Sequence, residues 1–127
     1  MAKLTGSAPV LLTSDVVAAS EYYRAKLGFE RVELYGEPAT FAIVTRDGFS
    51  LMLAQKEAGV EHKANWQIVD KTWNVYLWVD DAEAEYPAMQ ERGATIDYTL
   101  YDTPWGTREF GVQDLDDHDI AIGQIID

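Results

Sequence analysis

The chain has no cysteine, which excludes disulfide bonds and thiolate chemistry. Basic residues are scarce: 10 Lys and Arg stand against 22 Asp and Glu, for a formal net charge of −12. Phosphate binding depends on Lys and Arg, so this balance argues against nucleic acid and against anionic membrane surfaces as partners. There is no apolar run long enough to span a bilayer, and the opening MAKLTGSAPV lacks the apolar stretch of a secretion signal. A cytoplasmic protein is the expectation. Only two histidines occur, His62 and His118. They share no ligand spacing, support no Ser–His–Asp set and read as surface residues. The acidic group Asp114, Asp116, Asp117 and Asp119 lacks the glycine and terminal Glu of a calcium loop, so it reads as a turn of solvated charges. A glycine-rich phosphate loop is also missing.

What is present is a chain of 127 residues, 47% apolar, with four Trp, seven Tyr and four Phe. That length fits one domain with a real core. The acidic surplus would attract a cationic ligand. It is equally what solubility alone would require.

The chain also repeats itself. VLLTSDVVAASEYYRAKLGF, from Val10 to Phe29, returns 65 positions later as VYLWVDDAEAEYPAMQERGA, from Val75 to Ala94. Val10 meets Val75, Leu12 meets Leu77, Asp15 meets Asp80, Ala19 meets Ala84 and Gly28 meets Gly93. Each copy reads as a strand, a capping Asp, a helix and a glycine stop. Two copies suit two modules better than a solenoid.

In the first module the pattern predicts a strand over Ala8–Ser14, a helix over Val16–Leu27 capped by Asp15, and strands over Glu30–Tyr35, Thr40–Thr45 and Phe49–Gln55. Gly36, Glu37 and Pro38 form one turn, and Arg46, Asp47 and Gly48 a tight hairpin. Residues Lys56 to Thr72 lack periodicity. The modules are bounded at 1–62 and 73–127, with 63–72 linking them. The second predicts a strand over Trp73–Val79, a helix to Arg92 capped by Asp80 or Asp81, and strands over Thr95–Tyr101, Glu109–Asp114 and Asp119–Ile125. Pro87 predicts a kink or an early break in that helix. The fold class is α+β, two tandem βαβββ modules with mixed sheets.

Strand alternation assigns faces. Val75, Leu77 and Val79 form an aliphatic face suited to helix packing, and Asn74, Tyr76 and Trp78 form the other. Ile120 and Ile122 oppose Asp119, Ala121 and Gly123. Phe49, Leu51 and Leu53 oppose Ser50, Met52 and Ala54. The side away from each helix is polar or aromatic, as a small-molecule site would be.

At this point the chain resembles the glyoxalase, bleomycin resistance protein and dioxygenase superfamily, the vicinal oxygen chelate proteins. The resemblance rests on MAKLT, SDVVAASEYYRAKLGFE, the Arg-Asp-Gly hairpin and PWGTREFGVQDLDDHD. The PWG-x-REF string and the opening look most like the bleomycin resistance branch. The resemblance implies paired βαβββ modules with cup-shaped sheets, completed in a homodimer. Leu115 and Asp117 stand where that branch usually has Pro and Gly, so a different loop shape is expected there. Carried over by position, the metal ligands of the family's enzymes fall on Ala8, Ser50 or Met52, Asn74 and Ala121. None is His, Glu or Asp, and a catalytic ion needs about three good protein ligands. No metal and no cofactor are therefore expected.

The expected ligand-lining residues are Phe41, Met52, Trp66, Asn74, Tyr76, Trp78 and Arg108, with no catalytic set. Flat rings suit planar or cationic ligands, although Tyr76 and Trp78 could equally be core. Arg108 could hold an acidic ligand group; otherwise Arg108 and Glu109 read as structural, fixing the long loop against the final hairpin. The leading function is metal-independent sequestration of a cationic, drug-like small molecule by a homodimer. The alternatives are a metal-dependent lyase, isomerase or dioxygenase with unrecognised ligands, and a metal-free enzyme using Tyr76 or a carboxylate as acid and base.

Overall fold

Asp15 begins the first helix by accepting the Ala18 N–H on its side chain at 3.1 Å. Gly28 ends it with φ 80°, a left-handed backbone that costs little without Cβ. The computed structural model describes all 127 residues, and the chain divides into two units, Met1–Val60 and Glu61–Asp127.

The first unit runs β1 (Val10–Thr13), α1 (Val16–Leu27), β2 (Arg31–Tyr35), β3 (Phe41–Arg46) and β4 (Phe49–Gln55). Its four-stranded sheet has the order β1-β4-β3-β2. β1 is parallel to β4, a pairing that requires the helical crossover, and the other neighbours are antiparallel. Asp47 at φ 52° and Gly48 at φ 82° make the two-residue hairpin between β3 and β4. Leu11, Val16, Ala19, Tyr23, Leu27, Val44, Leu51 and Leu53 are buried between helix and sheet. The rings of Tyr23 and Phe29 meet edge to face at 5.6 Å.

The second unit repeats the plan with β5 (Val75–Trp78), α2 (Ala82–Arg92), β6 (Thr95–Asp102), β7 (Thr107–Gln113) and β8 (Asp119–Ile125). Its sheet order is β5-β8-β7-β6, again with only the first strand parallel to its neighbour. Val75, Ala82, Met89, Phe110, Val112, Ile120 and Ile122 form the buried layer under α2. A short 3-10 turn at Asn65–Gln67 is the one regular piece of the segment before β5. No helix is long and apolar enough to cross a membrane.

The duplication extends to a detail the sequence register does not contain. In each unit a glutamine from the sheet caps the helix start. Gln55 accepts the Val16 N–H at 2.9 Å, and Gln124 accepts the Ala82 N–H at 2.9 Å.

Several boundaries differ from the sequence pattern. β1 and β5 are shorter than predicted, while β7 begins two residues earlier, at Thr107, which brings Thr107 into the sheet. The second helix is capped by Asp81, whose carboxylate accepts the Ala84 N–H at 3.1 Å. The repeat therefore slips by one residue at this cap, and α2 has 11 residues where α1 has 12. Pro87 does not break α2, which continues to Arg92. The ring removes one N–H bond, and burial of Ala82 and Met89 against the sheet holds the turns on either side. Phe49 shares the helix-side parity of Leu51 yet is exposed, because it lies at the sheet's hairpin end.

The cap assignment gives a direct expectation. Asp81→Ala lowers stability by about 1 kcal/mol in urea denaturation, and Asp80→Ala leaves it within a few tenths.

Candidate functional site

The face of the second sheet turned away from α2 gathers aromatic and acidic side chains. Tyr76 and Trp78 project from β5, which pairs in register with Ala121 and Gly123 of β8. Gly123 and Ala121 in turn face Glu109 and Gly111 of β7. On the far side, Tyr98 of β6 stands opposite Gly111 and Tyr101 opposite Glu109. Tyr98 and Tyr101 are three residues apart, so plain alternation would place them on opposite faces. Register shifts along β6 bring both to this one, and their rings meet at 6.0 Å.

Small residues make the floor. A Cβ built on Gly123 would lie 2.0 Å from the Tyr76 hydroxyl, and one on Gly111 would lie 2.2 Å from the Tyr98 ring. Both glycines are required for space: the two tyrosines lie down across the sheet from either side. They converge on Glu109, which is fully buried. Tyr76 donates to its carboxylate at 2.9 Å, Tyr98 at 2.7 Å and Thr107 at 2.9 Å. The Trp73 indole N–H donates to the Tyr98 oxygen at 3.0 Å. A buried carboxylate is tolerable only with such partners. Burial, reinforced by the bond to Glu109, pushes the Tyr76 phenol up to about 12. The same causes raise Tyr98.

Above this layer the aromatic rings stay accessible. Tyr76 packs against Trp73 edge to face at 5.0 Å and against Trp78, tilted, at 4.4 Å. Trp78 is 60% exposed. The same face holds Asp119 beside Gln113, whose amide donates to it at 2.9 Å. Burial pushes the Asp119 carboxyl up to about 6, and its contact with Asp97 adds to the rise against the lowering bond from Gln113.

The turn between β7 and β8 departs from the sequence expectation. His118 is 3% exposed, not a surface residue, and its Nδ1 lies 2.8 Å from the Asp114 carboxylate. Asp114 also accepts the N–H groups of Asp116 and His118 at 2.9 and 3.0 Å. It is therefore the internal acceptor of the turn and not a solvated charge. His62 stacks on His118 at 5.4 Å although the two are far apart in sequence. Asp117 adopts φ 67°, the left-handed conformation that few non-glycine residues take.

Of the predicted lining residues, Asn74, Tyr76 and Trp78 lie together in the second unit. The Asn74 side chain accepts the Asn65 N–H at 3.0 Å. Trp66, in the 3-10 turn, donates its indole N–H to the Asp117 carbonyl at 2.6 Å. Phe41 and Met52 lie in the first unit, on the face away from α1 by strand parity. Phe41 pairs with Ala54 and touches the Tyr35 ring at 6.2 Å; Met52 pairs with Ile43. Arg108 alternates to the helix side of its sheet, where it holds Asp102 through two bonds of 2.7 and 3.1 Å and reaches Glu83 of α2 at 3.6 Å. It thus ties the two ends of the Asp102–Thr107 loop. Glu109, read from the sequence with Arg108 as fixing the long loop against the final hairpin, lies on the opposite face from Arg108 and accepts from Tyr76, Tyr98 and Thr107. Its parity with Gly111 was the available signal, but its hydroxyl partners come from β5, β6 and the start of β7.

A family model described as the Glyoxalase/Bleomycin resistance protein/Dioxygenase superfamily matches residues 7–122. The chain belongs to this superfamily. Solved structures agree on the fold. TioX from Micromonospora sp. ML1 superposes with a TM-score of 0.73 at 22% identity, over 96% of this chain and 99% of that one. The bleomycin-binding protein of bleomycin-producing Streptomyces verticillus, complexed with copper(II)-bleomycin, gives 0.68 at 24%, over 100% and 99%. TnmS3, an antibiotic binding protein from Streptomyces sp. CB03234, gives 0.70 at 23%, over 98% of each chain. Among curated proteins compared by sequence, none matches.

The superfamily's metal enzymes raise the question of a divalent ion, and the donor set here does not fit one. Ala8 and Ala121 have no lone pair to offer. Ser50 shares a 2.9 Å hydrogen bond with Thr45, and Asn74 is engaged by Asn65. The one glutamate of the face already receives three hydroxyl donors. No group of three or more His, Asp or Glu side chains is placed to hold a metal.

Two outcomes follow from this geometry. Gly123→Ala forces the Tyr76 phenol off Glu109 and destabilises the protein by about 1–3 kcal/mol, read by urea denaturation, with loss of the Tyr76–Glu109 bond in a crystal structure. Asp119 gives a pH signature. Its folded value near 6 exceeds the ordinary 3.8, so the contribution of its protonation to stability is full below about 3.8 and is lost as pH rises through about 6. Asp119→Asn abolishes that decline, checked by comparing the stability of the two proteins from about pH 4 to about pH 7.

Proposed function

We propose that the chain is a binding protein that sequesters a planar, cationic, drug-like small molecule, without a metal and without turning it over, as a cytoplasmic homodimer. The observation that carries this reading is the open face of the second sheet. Tyr76 and the exposed Trp78 form a ring pair there. The same face bears Glu109 and Asp119, and the only basic residue in these four strands, Arg108, is turned to the other side. Rings with carboxylates behind them favour a flat cation through stacking and cation–π attraction.

The chemistry of the face supports binding over turnover. A phenol held near 12 and bonded to a carboxylate is a poor general base at neutral pH. The copper(II)-bleomycin complex and the antibiotic binding protein among the similar folds support antibiotic-like ligands. Val10 and Leu12, both exposed on the open face of the first sheet, support coverage by a second copy of the chain.

Tryptophan fluorescence of metal-analysed protein, titrated with bleomycin-type glycopeptides and other cationic aromatics, tests the reading. The expected result is saturable quenching with about one ligand per subunit and the ligand recovered unchanged. Trp78→Ala weakens binding at least about tenfold, as loss of a central aromatic contact does. Consumption of the ligand, or binding that follows stoichiometric metal content, would contradict it.

A further inference from the structure

We propose that Glu109 is the specificity-determining residue of this binding face: by taking the protons of both tyrosines it leaves the face with acceptors and ring surfaces, and so selects a cation bearing N–H donors. The inference rests on the binding-protein reading above and names the residue that sets its ligand class.

The proton directions follow from the bonding. An indole N–H can only donate, and that of Trp73 lies 3.0 Å from the Tyr98 oxygen. The Tyr98 proton is therefore turned the other way, to Glu109 at 2.7 Å. A carboxylate only accepts, so Tyr76 and Thr107 also give it their protons, each at 2.9 Å. The Tyr76 oxygen is left with lone pairs and no proton for a ligand. The partners of Glu109 are all neutral hydroxyls, so its charge is not cancelled within the sheet. Held in a low-dielectric layer, it polarises the phenols that donate to it. A cationic N–H ligand at Tyr76 meets an acceptor with a negative charge behind it. A carboxylate or phosphate there meets lone pair against lone pair. Gly111 and Gly123 belong to the same device, since any side chain at either position would lift a phenol away from Glu109.

The test uses two probes on one ring frame: proflavine, an acridine cation with amino donors, and 9-anthracenecarboxylate, an acceptor-only anion. Isothermal titration of the wild-type protein is expected to favour proflavine at least about tenfold, the scale of one hydrogen bond to a charged group. Glu109→Gln removes the charge and lets an amide N–H donate to one phenol, which turns that phenol's proton outward. The Kd for proflavine rises about tenfold or more, and that for 9-anthracenecarboxylate stays or falls. Tyr76→Phe, which removes the acceptor and keeps the ring, weakens proflavine alone. A separate reading comes from tyrosinate absorbance: Tyr76 and Tyr98 ionise at lower pH in Glu109→Gln than in the wild type. If that variant does not fold, wild-type selectivity and Tyr76→Phe decide. Equal affinity of the two probes for the wild type, or an unchanged preference in either variant, overturns the role of Glu109 while binding itself stands. Binding of neither probe overturns the binding-protein reading and this inference with it.

Discussion

The buried carboxylate of Glu109 is the constraint on which the open face of the second sheet depends. A desolvated charge without a cationic partner is expensive unless hydrogen bonds replace its water. Thr107 of the same strand, Tyr98 of the neighbouring β6 and Tyr76 of β5, across β8, supply them. That demand fixes the posture of the rings, and the posture in turn fixes which residues can lie beneath them. Gly123 and Gly111 are small because two phenols must cross the sheet to reach one carboxylate. Trp73 and Trp78 then pack on the ring that Glu109 has positioned.

The two units apply one scaffold to different ends. Strand order, the parallel first strand, the Asp cap and the glutamine bond to the helix start occur in both. These features belong to the helix side, where burial forces the same solution twice. The open faces are not bound in this way and have diverged. The first carries Val10, Leu12, Phe41, Ile43 and Met52 by register, and the second carries aromatics around a carboxylate.

The scaffold was legible in the sequence because it rests on local rules. The Asp15 cap, Gly28 stop and α1 limits follow from short-range hydrogen bonding and from glycine's access to positive φ. The parity that put Tyr76 with Trp78, and Ala121 with Gly123, needs only a two-residue period. What was hidden depends on contacts between distant segments or on irregular strands. Glu109 went unread because its partners come from β5 and β6, and because bulges in β6 turn Tyr98 and Tyr101 to the same side. His118 was taken for a surface residue because its burial depends on Asp114 bending the turn and on His62 arriving from 56 positions away. Trp66 was expected to line a ligand site, and only the folded turn supplies the Asp117 carbonyl that holds its indole. Arg108 shows the same limit: parity could place it on the helix side, but only the full β7 range reveals that parity.

The most direct measurement of the central claim is an NMR titration that follows the four indole N–H resonances while proflavine is added. Trp78 lies exposed against Tyr76, and Trp66 is bonded to the Asp117 carbonyl in the turn between β7 and β8. Saturable movement of the Trp78 resonance is the expected result. Saturable binding that leaves Trp78 unmoved would contradict the account, because the ligand would then sit elsewhere than on the face Glu109 organises.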